Sequence, residues 1–370
     1  MKNVLVTGSA GFVGKNLVES LRLRDDINLI TFDIEDDESV LTQSLTEVDF
    51  VFHLAGINRP KNDEEFHSGN VGLTEQILTT LIQQKRQVPV LLSSSTQAAL
   101  DNPYGVSKRQ AEDTVFAYGR ESGCPVFVYR LPNLFGKWCR PNYNSAVATF
   151  CHNITHDLPI QINDPDIILS LAYIDDVIAA FIATLDGNTV IKDLYAVVEP
   201  VYTAKLGAIA DLLRSFKSSR LDLSIPDMSD PLIKKLYSTY LSYLPSDHFS
   251  YPLKMNVDER GSFTEFIRTP DRGQVSVNIS KPEITKGNHW HHTKNEKFLV
   301  VSGQGLIRFR NICTNEIVEY TVSSEKLEVV DIPTGYTHNI INTGDTDMVT
   351  VMWVNEPFNS ENPDTYFEPV

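Results

Sequence analysis

The sequence predicts an α/β chain in two parts, a doubly wound parallel sheet followed by an all-β barrel, on three observations. Short β-branched runs alternate with longer amphipathic stretches up to about residue 185. The segment Leu244-Pro-Ser-Asp-His-Phe-Ser-Tyr-Pro252 then breaks the pattern with two prolines among small and polar residues. Beyond it, strand-like runs recur at short spacing with no helical stretch between them. Parallel strands need crossovers, and crossovers are usually helical, so alternation reads as a parallel sheet with helices on both faces.

Taken in order, residues 3–6, 28–32, 49–54, 88–93 and 125–130 read as strands, and 13–23, 72–84 and 103–118 as the helices between them. Two more apolar helical stretches follow at 204–216 and 231–244. Residues 274–279, 297–301, 305–310, 317–322, 327–332 and 348–354 are strand-like, separated by Gly, Asn, Pro and Thr. The predicted division is a first domain over 1–243, a linker over 244–255 and a second domain over 256–370. At 370 residues two cores are expected, since single cores rarely exceed ~250 to 300 residues.

Composition excludes several classes. No apolar run approaches the ~18 residues of a membrane span, so no membrane insertion is expected. The run Val4-Leu5-Val6 stops at Thr7-Gly8, too short for an export signal. Cys124, Cys139, Cys151 and Cys313 have no C-x-x-C spacing, which argues against a thiolate zinc site or a disulfide framework and fits a cytoplasmic protein. A net charge of −16 opposes nucleic-acid binding. An anionic ligand must instead be held by helix N-termini or individual Arg and Lys residues.

The first chemical signature opens the chain. Val4-Leu5-Val6-Thr7-Gly8-Ser9-Ala10-Gly11-Phe12-Val13-Gly14 is a strand that enters a G-x-x-G-x-x-G turn and then a helix, as in a Rossmann-type unit. Glycines let the backbone approach a pyrophosphate at the helix N-terminus, so Gly8, Ser9, Gly11, Phe12, Val13 and Gly14 are candidate dinucleotide contacts. Asp33 ends the second strand, where a carboxylate takes ribose hydroxyls, and Leu54, Ala55 and Gly56 end a further strand beside the expected cofactor. Tyr104 and Lys108 are spaced i, i+4 and share a helical face. An adjacent ammonium favours the ionised phenol, ordinarily titrating near about 10, and so suits it to general acid work. Ser94, Ser95 and Thr96 follow a strand end, and Ser95 is the leading candidate to hold a substrate oxygen.

Together with Asn70, Arg130-Leu-Pro-Asn133-Leu-Phe-Gly136 and Tyr173-Ile-Asp-Asp176, these motifs resemble the extended short-chain dehydrogenase/reductase family over about residues 1–240. The resemblance implies that Tyr104 passes a proton, Lys108 holds the nicotinamide ribose and Asn70 supports the site. A sugar nucleotide would lie on residues 133–176, with Asn133 and Arg130 as candidate contacts. Asp33 leans toward NAD because it repels a 2′-phosphate, unless Lys15 compensates.

The second signature is His289-Trp-His291-x4-Glu296 with His338. His289 and His291, at i, i+2, point to one side of a strand. Three imidazoles and a carboxylate suit a divalent ion such as zinc, iron, manganese or nickel, and His292 faces the other way. These motifs resemble the cupin superfamily over about residues 255–370. Asp258-Glu-Arg260-Gly261 and Lys286-Gly287-Asn-His289 resemble its sugar-nucleotide 3,5-epimerase branch, although the tyrosine of that branch is absent near Val354-Asn-Glu-Pro357. Lys286, Lys294, Lys297 and Tyr336 are candidate epimerisation bases.

The two signatures in tandem resemble the bifunctional capsular polysaccharide synthesis enzymes. The resemblance implies C3 epimerisation and then NADPH-dependent C4 reduction of UDP-2-acetamido-2,6-dideoxy-4-hexulose to UDP-2-acetamido-2,6-dideoxy-L-talose, toward L-N-acetylfucosamine, in a homodimer with zinc in the cupin. A 4-keto group explains both halves, since it acidifies the neighbouring C–H and is itself the hydride acceptor. Two other readings remain open: an NAD-dependent 4-epimerase with a dimerising cupin, and a sugar or cofactor sensor.

Overall fold

The computed structural model describes residues 1–60, 62, 64–269, 271–361 and 363–370. They form two compact units, Met1–Arg214 with Asp230–Pro245, and Ser215–Ser229 with Ser246–Val370. Residues 215–229, which the sequence reading keeps in the first domain, group with the second unit.

In the first unit the strands stand in the order Ile27–Phe32, Lys2–Thr7, Phe50–His53, Val90–Ser95, Val126–Leu131, Tyr195–Ala196 and Ile191–Lys192. The first five are parallel. Alternation along a strand sends successive side chains to opposite faces. Val4 and Val6 accordingly join Leu17, Leu21, Ile174, Phe181 and Phe52 in one core. Leu5 joins Val51, Val90, Leu78, Leu81, Ala111 and Val115 in the other. Helices Phe12–Leu21 and Ile174–Leu185 cover the first face, and Leu73–Gln83 and Pro103–Ser122 the second. Burying each face under helices accounts for the near-continuous apolar strands.

Two helix starts place the chemistry. Helix Phe12–Leu21 begins after Gly11 with no side-chain cap, which leaves its first N–H groups to whatever binds there. Helix Pro103–Ser122 is capped by Asn102, which accepts the Gly105 N–H, and stops at Gly123 in the left-handed region, φ 71°. Tyr104 and Lys108 therefore sit in its first two turns. A small sheet of Asn133–Phe135, Ile168–Tyr173 and Tyr202–Lys205 flanks the C-terminal ends of the main strands.

In the second unit two antiparallel sheets enclose one core. One runs Met255–Asp258, Gly261–Thr269, Gly273–Ser280, Met348–Val354, Glu296–Ser302, Val329–Ile332; the other runs Ile317–Ser323, Gln304–Asn311, Tyr336–Asn342, Thr285–Trp290, Tyr366–Phe367. Phe298, Val300, Ile332 and Met348 from the first meet Ile307, Phe309, Val322 and Ile340 from the second. Strand Thr285–Trp290 carries a bulge between Gly287 and His289, with Asn288 at φ 60°. Residues three apart normally face opposite sides of a strand. The extra residue restores Lys286 and His289 to the same side.

Candidate active site and candidate metal centre

A cavity of about 820 Å³ opens at the C-terminal ends of the parallel strands. Gly8, Gly11, Phe12, Val13, Gly14, Leu54 and Gly56 are among the residues lining one part, and Ser95, Tyr104, Lys108, Asn133 and Arg140 among those lining another. Of the residues expected at a dinucleotide, Ser9, Ala55 and Asp33 do not line it. Asp33 is instead tied to the glycine turn, its Oδ2 accepting the Ala10 N–H at 2.7 Å and its Oδ1 the Ile34 N–H at 2.8 Å.

Lys108 is buried and donates to the Ser93 carbonyl at 3.1 Å. Burial brings its ammonium down to about 8, against the pull of Glu112. Burial pushes the Tyr104 phenol up, while the neighbouring Ser95 hydroxyl pulls it down. The phenol stands above its ordinary value on balance, so the lowering that the sequence assigns to Lys108 is not found; Ser95 only offsets part of the effect of burial. Behind them runs a chain that sequence reasoning did not see. His53 Nδ1 meets Thr7 Oγ1 and His53 Nε2 meets Thr74 Oγ1, both at 2.8 Å, and Thr74 donates to the Asn70 carbonyl at 2.7 Å. Burial, then Lys108, drives His53 down to about 3, so this link is neutral at ordinary pH. Asn70 in turn accepts from Ile57 N–H and donates to Ile57 O and Ser107 Oγ, which fixes the loop after the third strand.

Arg130, expected at the substrate, is engaged elsewhere. Its guanidinium grips Glu112, with Nη2 to Oε2 at 2.6 Å and Nε to Oε1 at 3.0 Å, and lies 4.1 Å from the Tyr195 ring centroid. Glu112 is buried and also accepts from Ser94. Removing one partner of such a pair strands a buried charge, so Arg130 holds the fold and does not line the cavity. Among the described lining residues the charged ones are Lys15, Lys108 and Arg140, all cationic, in a chain of net charge −16.

Gly14 shows how closely the turn is built. A Cβ there would lie 2.1 Å from the Gly8 carbonyl oxygen and 2.8 Å from Ser9 Cα. Gly14→Ala is therefore expected to push the turn away from the helix and weaken dinucleotide binding more than about tenfold in a fluorescence titration.

The second cavity, about 600 Å³, lies in the β unit and is lined by His289, Glu296, His338, Lys286, Asp258 and Arg260 among others. The ligand atoms of His289, His291, Glu296 and His338 all lie within 4.8 Å of one another. Glu296 Oε2 is 3.1 Å from His338 Nε2 and 3.8 Å from His291 Nε2. Although burial favours its neutral form, the two imidazoles hold Glu296 down to about 2. Burial, with His338, takes His289 down to about 4. His291 Nε2, Glu296 Oε2 and His338 Nε2 are buried without a hydrogen-bond partner among the described residues. Three converging donors left unsatisfied cost several kcal/mol unless a cation takes them, so the set fits a divalent ion.

Of the four candidate bases, Lys286 alone lines this cavity among the described residues. It donates to Asn278 Oδ1 and the Ile279 carbonyl, each at 2.8 Å, and burial lowers its pKa. Lys294 turns to the Pro363 carbonyl, Lys297 to Asp331, and Tyr336 packs on Phe309. His292 lies against Trp290 and Tyr366, away from the cage.

Residues 4–195 match the NAD dependent epimerase/dehydratase family. A UDP-2-acetamido-2,6-beta-L-arabino-hexul-4-ose reductase of Pseudomonas aeruginosa is 47% identical over 363 residues, which cover 98% of this chain and 97% of that one. The chain belongs to the NAD dependent epimerase/dehydratase family. Residues 256–366 match the polysaccharide biosynthesis C-terminal domain. A crystal structure of the capsular polysaccharide assembling protein CapF from Staphylococcus aureus is similar over 100% of both chains, with TM-score 0.95 and 56% identity. UDP-glucuronic acid 4-epimerase of Bacillus cereus, at 20% identity and TM-score 0.55 over 65% of this chain and 98% of that one, shares the fold. The resemblance read from the motifs thus extends over the whole length. The family implies a nicotinamide cofactor, and the glycine turn fits one. Among the described residues no helix is long and apolar enough to cross a membrane.

Proposed function

We propose that this chain is a bifunctional nucleotide-sugar enzyme. Its β unit inverts C3 of UDP-2-acetamido-2,6-dideoxy-4-hexulose, and its α/β unit then reduces C4 with NADPH to UDP-2-acetamido-2,6-dideoxy-L-talose, on the route to a capsular L-N-acetylfucosamine. The observation that carries the reading is that one chain holds two chemically different cavities, Tyr104 with Lys108 and Ser95 in one, Lys286 with the His/Glu cage in the other. Full-length similarity to a 4-ulose reductase supports the same substrate class.

In the first cavity, bound NADPH supplies the hydride. Ser95 and Tyr104 hold the C4 oxygen, and the Tyr104 phenol gives it a proton as C4 takes on the electron pair. Lys108 binds the ribose, and Asn133 faces the sugar. The cationic lining receives the diphosphate. Both Asp33 oxygens accept backbone N–H groups while Lys15 lines the cavity, which supports NADPH over NADH.

In the second cavity, His289, His291, Glu296 and His338 would hold a divalent ion, for which zinc suits the nitrogen-rich donor set, and it would supply electrophilic stabilisation of the charge that develops on the ketone. Lys286, as the free amine, takes the C3 proton from one face, and a solvent-derived proton is returned to the opposite face, which inverts C3. Reduction removes the carbonyl that acidifies C3, so epimerisation comes first.

Incubation with the UDP-4-keto sugar tests the reading against a redox-neutral 4-epimerase. One NADPH oxidised per product formed is expected; turnover without net oxidation would remove the reductase assignment.

A further inference from the structure

On its own strand, His338 has its Nδ1 3.5 Å from the Tyr336 carbonyl, two residues earlier. His291 lies just past the end of its strand, and its Nδ1 lies 2.5 Å from the carbonyl of Asp364, 73 residues further along. A carbonyl only accepts, so the ring proton sits on Nδ1 and Nε2 presents a lone pair to the cage.

Asp364 is itself fixed by four hydrogen bonds to its own carboxylate. Oδ1 accepts the His292 N–H at 3.0 Å. Oδ2 accepts the Thr293 N–H and Oγ1, both at 2.9 Å, and the Lys294 N–H at 3.0 Å. Its φ of 42° lies in the left-handed region, which Asp and Asn tolerate better than other side chains. The residues around it reach the other ligand-bearing strands. Tyr366 and Phe367 pair with Trp290 and His289, the Glu368 N–H donates to Asn288 O at 2.9 Å, and Thr337 donates to the Glu368 carbonyl.

We propose that Asp364 is a positioning residue of the metal centre: its carboxylate gathers the N–H groups of residues 292–294 and so sets its own carbonyl against His291, fixing the imidazole tautomer that the ion requires. The assignment rests on the metal reading above. Outer hydrogen-bond partners of metal-binding histidines typically contribute 10- to 100-fold in affinity. A carboxylate that merely closed a loop would leave the ligand field unchanged.

The test strips the full-length protein with chelator and titrates Co²⁺, reading the visible d–d absorption and the affinity by chelator competition. Asp364→Asn keeps a residue suited to the left-handed backbone and replaces one accepting oxygen by a donor. It is expected to bind Co²⁺ about 10- to 100-fold more weakly, with an altered spectrum, while dinucleotide binding to the first unit stays unchanged. Asp364→Ala is expected to shift both readouts further. Wild-type affinity and spectrum in Asp364→Asn, even with a lowered melting temperature, would overturn the positioning role and leave the metal reading intact. Failure of the unsubstituted protein to take up Co²⁺ would overturn the metal reading itself and the inference with it.

Discussion

Tyr104→Phe is expected to lower NADPH-dependent turnover of the keto sugar by about 10²- to 10⁴-fold, the usual worth of a positioned general acid. The ring stays, so its contact with Phe66, 5.7 Å between centroids, and the packing of the helix start are kept. What goes is the proton delivered to the C4 oxygen. Dinucleotide binding should persist, because Lys108 and the glycine turn are untouched. Proton exchange at C3 should persist as well, because the residues assigned to that step lie in the other unit. Stopped-flow absorbance for NADPH and proton NMR for C3 separate the two readouts. A variant that loses both activities would show that the two sites do not act independently.

Glu296→Gln is expected to have the mirror-image effect. The carboxylate is the one anionic member of the cage and is held ionised far below neutral pH. The two imidazoles hold its folded pKa down, so the carboxylate is anionic through neutral pH and brings its charge to the cage there. The amide replaces that charge with a neutral oxygen, so metal content by elemental analysis should fall and C3 exchange should drop by at least about 10²-fold. Reduction of a separately supplied C3-epimerised ketone should continue at the unsubstituted rate. Retained exchange in metal-free Glu296→Gln would assign the epimerisation to Lys286 and its surroundings without the ion.

Much of this was legible in the sequence where the chemistry is local. The glycine turn and the Tyr104/Lys108 pair each occupy one short stretch, and strand or helix periodicity alone sets their facing. The His/Glu set was legible from spacing, His289 and His291 two apart at a strand end and Glu296 and His338 at their own strand positions, although His291 itself lies just past the strand.

What was not legible depends on distant partners. Arg130 stands in a motif that suggests substrate contact, yet Glu112, buried on a helix 18 residues earlier, claims its guanidinium. The bulge at Asn288 has no clear mark in the sequence, although it puts Lys286 and His289 in one cavity. Asp364 reaches His291 across 73 residues. Helices Ala146–Thr155 and Ile174–Leu185 stand outside the predicted elements, although each buries one face much as the predicted helix Phe12–Leu21 does.

On the proposed function one ketone serves both sites, loosening its neighbouring hydrogen in the β unit before accepting hydride in the α/β unit. The most direct measurement follows the C3 hydrogen by NMR when the UDP-4-keto sugar is incubated with the protein in deuterated water without NADPH. The account predicts deuterium at C3 before any reduction, and its retention in the product once NADPH is added. A reduced product that carries the original protium at C3 would contradict it.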